Sequence, residues 1–129
     1  MKRILLADDE ESILLAFRKL LESPPEVSVD TADSSEKARM LLGNNTYQAA
    51  IVDLRLKGVA SLDGLELVRI IRQNNPSAVI IVVTAYSDES LDRVIYDSGA
   101  SCCFEKPVPP KKIRTLLRDQ GIYLENRVF

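Results

Sequence analysis

A doubly wound α/β domain on a parallel sheet is the fold this sequence predicts, and three observations predict it. Apolar stretches of strand length alternate with amphipathic stretches of helix length along the chain as far as residue 120. Several of the strand-length stretches are apolar at every position, as strands buried on both faces must be. No repeat, low-complexity segment or internal linker interrupts the alternation. Strands and helices in strict alternation imply parallel pairing, right-handed crossovers and helices on both faces of the sheet.

The elements follow in order. Ile4-Leu5-Leu6-Ala7 is the first buried strand and Asp8 closes it. Ile13, Leu14, Phe17, Leu20 and Leu21 repeat at helical spacing until Pro24-Pro25 stop the helix. Val27 to Asp30 alternates as an edge strand would. Ser34 or Ser35 can cap a second helix carrying Ala38, Leu41 and Leu42, with Gly43 at its end. Ala49 to Val52 is the third strand, closed by Asp53. A polar loop leads to a helix through Leu65, Leu67, Val68, Ile70 and Ile71. Val79 to Val83 is the longest β-branched run and the fourth strand. Leu91, Val94 and Ile95 mark a short helix, Ser101 to Glu105 a less apolar fifth strand. Pro109-Pro110 suit the first turn of a last helix holding Ile113, Leu116 and Leu117. The domain is expected over residues 1–120. Residues 121–129 form a tail or the start of a linker, too apolar at Tyr123, Leu124, Val128 and Phe129 to stay free.

Composition narrows the function. The chain is 46% hydrophobic and 28% charged, with a net charge of −2. Mixed charge without a basic surplus argues against nucleic-acid binding by this domain. No apolar run reaches the roughly 20 residues of a membrane span. Nor does the short stretch after Met1-Lys2-Arg3 make a secretory signal. The two cysteines, Cys102 and Cys103, are adjacent and point to opposite faces of a strand, so they do not pair easily. A reducing, cytoplasmic setting fits. With no histidine in the chain, catalytic groupings and zinc sites built on histidine are excluded.

In an open parallel sheet, ligands bind beyond the carboxyl ends of the strands. In this chain those ends carry Asp8-Asp9, Asp53, Thr84-Ala85 and Glu105-Lys106-Pro107. Three aspartates at one spot repel unless a cation neutralises them. Mg²⁺ suits hard oxygen ligands and keeps positions for a phosphate. Beside it, the Asp53 carboxylate can act as nucleophile towards phosphorus. Lys106 can neutralise charge on the transferring group, and the Thr84 hydroxyl can donate to it. Ala85 is small enough to leave access. Singly, each residue has a plainer reading: a helix cap at Asp8-Asp9, a surface lysine, a strand-end threonine. Their coincidence at four strand ends favours the phosphoryl site.

These motifs resemble the receiver domain of two-component response regulators. The resemblance runs from residue 2 to about 119 and rests on Asp8-Asp9, Asp53-Leu54-Arg55-Leu56, Asp63-Gly64, Thr84-Ala85 and Lys106-Pro107. It implies a sheet of strand order 2-1-3-4-5. It implies that Asp53 takes phosphate from a histidine kinase or histidine phosphotransfer protein. Mg²⁺ would be held by Asp9, Asp53 and the backbone carbonyl of Arg55, with Asp8 acting through water. The Lys106–Pro107 bond would be cis. Thr84 would move towards the phosphoryl group, changing the face of the fourth helix, fifth strand and fifth helix for a downstream protein or output domain.

The sequence departs from the family pattern in three places. A switch aromatic usually stands three residues before the lysine, and in this chain that residue is Cys103, best read as packing. Phe104 beside it should point the other way, into the core. The loop after Asp53 is longer than usual by Val59-Ala60-Ser61, with Lys57 where proline is common. Arg55 and Tyr86 stand where side chains can shield the phosphoryl group from water.

Other functions fit less well. A haloacid-dehalogenase-type phosphatase needs a general acid two residues after its nucleophile, where Arg55 stands. A dinucleotide-binding domain needs a glycine-rich turn where Asp8-Asp9-Glu10-Glu11 stands, and a flavodoxin-like carrier needs a phosphate loop there. The chain is expected to be no enzyme beyond its own Mg²⁺-dependent phosphorylation and slow dephosphorylation. The remaining alternative is an interaction module of the same fold that works without phosphorylation. Asp88, Glu89 and Asp92 near one helix, and Lys111, Lys112 and Arg114 near another, can pair across a homodimer or simply remain solvated.

Overall fold

In the computed structural model, which describes residues 2–55, 63–85 and 88–123, five parallel strands stand in the order β2-β1-β3-β4-β5. The strands are β1 (Lys2–Ala7), β2 (Val27–Ala32), β3 (Ala49–Asp53), β4 (Val79–Thr84) and β5 (Cys102–Glu105). The helices are α1 (Glu11–Leu21), α2 (Ser35–Asn44), α3 (Asp63–Asn74), α4 (Glu89–Ser98) and α5 (Pro110–Asp119). Lys57, Val59-Ala60-Ser61, Tyr86 and residues 124–129 lie outside the described residues.

Side chains along each strand divide between two cores. Leu5, Ala7, Ala50, Val52, Ile80 and Val82 meet α2, α3 and α4 on one face. Ile4, Leu6, Ala49, Ile51, Ile81 and Val83 meet α1 and α5 on the other. A register slip of one residue would exchange the two sets. Because neither face is solvated, the central strands read as unbroken apolar runs. Truncating a residue such as Ile51, 2% exposed, should cost roughly 2–5 kcal/mol.

Several element ends differ from the sequence reading. Strand β2 continues to Ala32, because its backbone pairs with β1 as far as Ala7. Helix α2 is capped by Ser34, whose Oγ accepts from the Lys37 N–H at 3.2 Å. It runs through Gly43 to Asn44, with Asn45 as its C-cap. Gly43 is therefore not the stop, and a Cβ there would meet open space. Strand β5 starts at Cys102, because the Ser101 hydroxyl accepts from the Ile80 N–H at 2.9 Å. Pro109 and Pro110 occupy the N-cap and first turn of α5. Past α5, Ile122 and Tyr123 are buried in the α1/α5 core, and the Tyr123 hydroxyl donates to Leu21 O at 2.6 Å.

Candidate functional site

Parallel strands end on a common rim, and the backbone there fixes how four side chains meet. The Asp8 N–H donates to Ala32 O at 3.0 Å, holding Asp8 just past the end of β1. Asp53 is the last residue of β3, and the next N–H, on Leu54, donates to Val83 O at 3.0 Å. Thr84 ends β4, and its carbonyl accepts from the Lys106 N–H at 2.7 Å. The Lys106–Pro107 peptide bond is cis.

Asp8 and Asp53 are only 1% and 6% exposed, and one ammonium serves both. Lys106 Nζ lies 3.0 Å from Asp8 Oδ2, 3.2 Å from Asp53 Oδ2 and 3.5 Å from Glu10 Oε1. The other carboxylate oxygens turn to the backbone. Asp8 Oδ1 accepts from the Glu10 N–H at 2.9 Å, and Asp53 Oδ1 from the Arg55 N–H at 3.2 Å. Asp8 thus does part of the work of a helix cap, since the residue at the N-cap of α1, Glu10, makes no side-chain cap bond.

Three carboxylates against one ammonium leave this group net negative. Burial pushes the Asp53 carboxyl above its ordinary pKa; the Asp8 charge adds to the rise, while Lys106 and the Arg55 N–H oppose it. For Lys106, burial works to lower the pKa, yet the carboxylates of Asp8 and Asp53 outweigh it and the net shift is upward. A charged Lys106 at neutral pH follows.

Surplus negative charge on hard oxygens in a water-accessible cleft fits Mg²⁺ chemically. Carboxylate oxygens of Asp8, Asp9 and Glu10 lie within 4.8 Å of one another. Asp9 is exposed, so its carboxylate can turn to a cation without a burial cost. Sequence reasoning does not place Glu10 in the site, although it continues the acidic run of Asp8-Asp9. A cleft of about 470 Å³ opens at this rim, walled by Asp9, Asp53, Thr84 and Lys106 on its polar side and by Ala85 and Leu91 on its apolar side. Arg55 is exposed at its edge. From sequence Leu91 is only a helix residue; its place in the cleft comes from the packing of α4 against β5.

Gly64 has a steric basis. A Cβ on Gly64 would sit 2.5 Å from Asp53 O and 2.7 Å from Leu54 Cα. Only glycine lets α3 begin so close to the end of β3, and its N–H donates to Leu54 O at 3.0 Å. Cys103 packs towards α3 and α4, whereas Phe104 faces the α1/α5 core. Phe104 remains half-buried, with Lys112 Nζ 4.9 Å from its ring centre. Burial, then Asp92, then Cys102 push the Cys103 thiol up to about 11, so it carries no thiolate for redox chemistry at neutral pH. Two of the charges that could pair across a dimer have partners within the chain. Asp88 accepts from the Leu91 N–H at 2.8 Å, and Arg114 donates to Leu20 O at 2.6 Å while covering the Tyr123 ring.

The response regulator receiver domain model matches residues 4–118. The chain belongs to this family. As a receiver domain it is a signalling domain of two-component systems rather than a classical enzyme. It is 38% identical over 114 residues to the alginate biosynthesis transcriptional regulatory protein AlgB of Pseudomonas putida, covering 87% of this chain and 24% of AlgB. The chain therefore spans about a quarter of that relative's length. It is similar to the crystal structure of a CheY-like receiver domain from Methanospirillum hungatei, with 27% identity and a TM-score of 0.77 over 93% of this chain and 96% of that one. It is also similar to the beryllofluoride-activated NtrC4 receiver domain dimer, with 26% identity and a TM-score of 0.77 over 93% and 96% of the two chains. Among the described residues, no helix is long and apolar enough to cross a membrane.

Proposed function

We propose that Asp53 is the phosphoacceptor of this receiver domain, supplied by a histidine kinase or histidine phosphotransfer protein. One observation carries the reading: the nearly buried Asp53 shares a single ammonium with Asp8 at the mouth of a cleft. A purely structural carboxylate would have its charge balanced, whereas this group keeps a surplus. An Asp53 oxygen attacks the phosphorus of phosphohistidine. The phosphorus–nitrogen bond breaks, and the imidazole leaves with the electron pair and takes up a proton. Lys106 draws onto the phosphoryl oxygens, and Thr84 donates a hydrogen bond to them. Mg²⁺, held by Asp8, Asp9, Asp53 and the carbonyl of Arg55, would neutralise charge on the same oxygens. The altered α4-β5-α5 face then binds a downstream protein or an output domain. Homodimerisation through that face is part of the reading, and the NtrC4 neighbour is described as a dimer. The setting is cytoplasmic.

Intact mass after incubation with acetyl phosphate and Mg²⁺ tests this. The wild type should gain one phosphoryl group; Asp53→Ala, and the wild type without Mg²⁺, should not. A wild type that gains no mass and also fails to bind beryllofluoride would make the chain a phosphorylation-independent module.

A further inference from the structure

Helix α4 is fastened very unevenly. Its second half holds the buried residues, Ile95 and Ser98. In its first half, Glu89, Ser90, Arg93 and Val94 are exposed and Leu91 and Asp92 are half-buried. One carboxylate oxygen of Asp92 is buried without a hydrogen-bond partner. Cys103 packs against the same core as Leu91, is close enough to Asp92 to feel its charge, and fills less space than an aromatic side chain would.

The far end is clamped by one guanidinium. Arg72 of α3 sends Nε and Nη2 to the same acceptor, Gly99 O, at 3.0 and 2.8 Å. Its Nη1 reaches Pro76 O at 2.9 Å and Ala78 O at 2.7 Å. Nη2 also approaches Ser101 Oγ at 3.3 Å. Gly99 closes α4 with φ +121°, a conformation that side chains disfavour, and a Cβ there would press on Arg72 Cβ and Cγ at 3.1 Å. A planar fork held on several backbone carbonyls at once is a rigid fastening, because no single bond can turn without straining the others.

We propose that Arg72 is a positioning residue that makes the carboxyl end of α4 a fixed pivot, so that activation tilts only the amino-terminal half. Leu91 in that half lines the cleft beside Asp53 and Thr84, so an event there reaches α4 at its loosely held end. The inference rests on the phosphoacceptor reading of Asp53. It also supplies a route to α4 that needs no aromatic rotamer at Cys103.

Amide hydrogen exchange on the whole chain, with Mg²⁺ and then with Mg²⁺ plus beryllofluoride, tests the pivot. In the wild type, beryllofluoride should change exchange at Leu91 to Val94 and leave Ile95 to Gly99 unaltered. In Arg72→Lys, which keeps the charge but loses the fork, the beryllofluoride-induced change should spread into Ile95 to Gly99. Losing one charge-assisted bond predicts roughly tenfold faster exchange there. Arg72→Met should spread it further; if that variant does not fold, Arg72→Lys alone decides. The pivot is overturned if the wild-type change covers all of α4 evenly, or if a folded Arg72→Lys keeps the wild-type pattern. An absence of any response around Asp53 and Thr84 would instead overturn the phosphoacceptor reading, and the pivot with it.

Discussion

The sheet carries two polar clusters of similar chemistry, and they differ in how their charge is balanced. Towards its amino end, Asp30 accepts from the Tyr47 hydroxyl at 2.7 Å and pairs with Arg3 Nη1 at 3.4 Å. One carboxylate meets one guanidinium and one hydroxyl, and Tyr47 is buried at 1% exposure. Burial, then Asp30, push the Tyr47 pKa upward, so it remains a donor. At the carboxyl end, Asp8, Glu10 and Asp53 share Lys106. The first cluster is complete as it stands and locks β2 to the segment before β3. The second keeps a negative surplus that a bound cation would neutralise. The unbalanced carboxylates of Asp8 and Asp53 are the buried ones, whereas the balanced pair of Arg3 and Asp30 is partly exposed, at 43% and 30%.

The largest expected effect follows from removing the shared cation. Lys106→Met should slow acetyl phosphate-dependent mass gain by roughly 100-fold, the typical effect of losing one preorganised donor to a developing charge. It should also cost roughly 3 kcal/mol of stability without Mg²⁺, because two buried carboxylates lose their partner. Urea unfolding with and without Mg²⁺ measures this, and a variant as stable as wild type would sink the surplus-charge account. The next effect belongs to the ligand. Mg²⁺ at about 100 times its dissociation constant should stabilise the wild type by roughly 2.7 kcal/mol and Asp53→Asn by clearly less, as thermal unfolding over a Mg²⁺ titration would record.

The balanced cluster should behave in the opposite way. Tyr47→Phe should cost about 1–2 kcal/mol through the lost hydrogen bond and leave the phosphorylation rate unchanged. A change in that rate would show that the clusters are coupled. The smallest effect concerns pH. Asp53 has a folded-state pKa above its unfolded one, so protonation favours the native state. Its contribution is therefore fully present below the unfolded value and is lost as pH rises through the folded one. Without Mg²⁺, Asp53→Asn should be more stable than wild type at pH 7, with the gap closing as pH falls towards 4. Stability curves that stay parallel across that range would contradict burial of the Asp53 charge as the cause.

Most of the frame was legible in the sequence because a strand buried on both faces must be apolar throughout. That requirement marked Ile4 to Ala7, Ala49 to Val52 and Val79 to Val83. The polar residues ending those runs, Asp8, Asp53 and Thr84, stood out for the same reason. Less was legible where a residue's role depends on a distant partner. Arg72 reads as one of many helix-surface arginines until Gly99 comes within reach. Gly43 reads as a stop, yet α2 passes through it because nothing there requires a positive φ. Ser101 reads as strand, yet its hydroxyl replaces a ladder bond at Ile80.

The sequence by itself determined the alternation, the two-sided burial of the sheet and the four polar strand ends, because hydrophobic periodicity and chain order are local properties. Tertiary structure alone decided that Lys106 is shared among Asp8, Asp53 and Glu10, that Leu91 reaches the cleft, and that α4 is clamped at one end. Those are matters of distance between side chains far apart in the chain, and electrostatic and hydrogen-bond energies exist only once packing has set those distances.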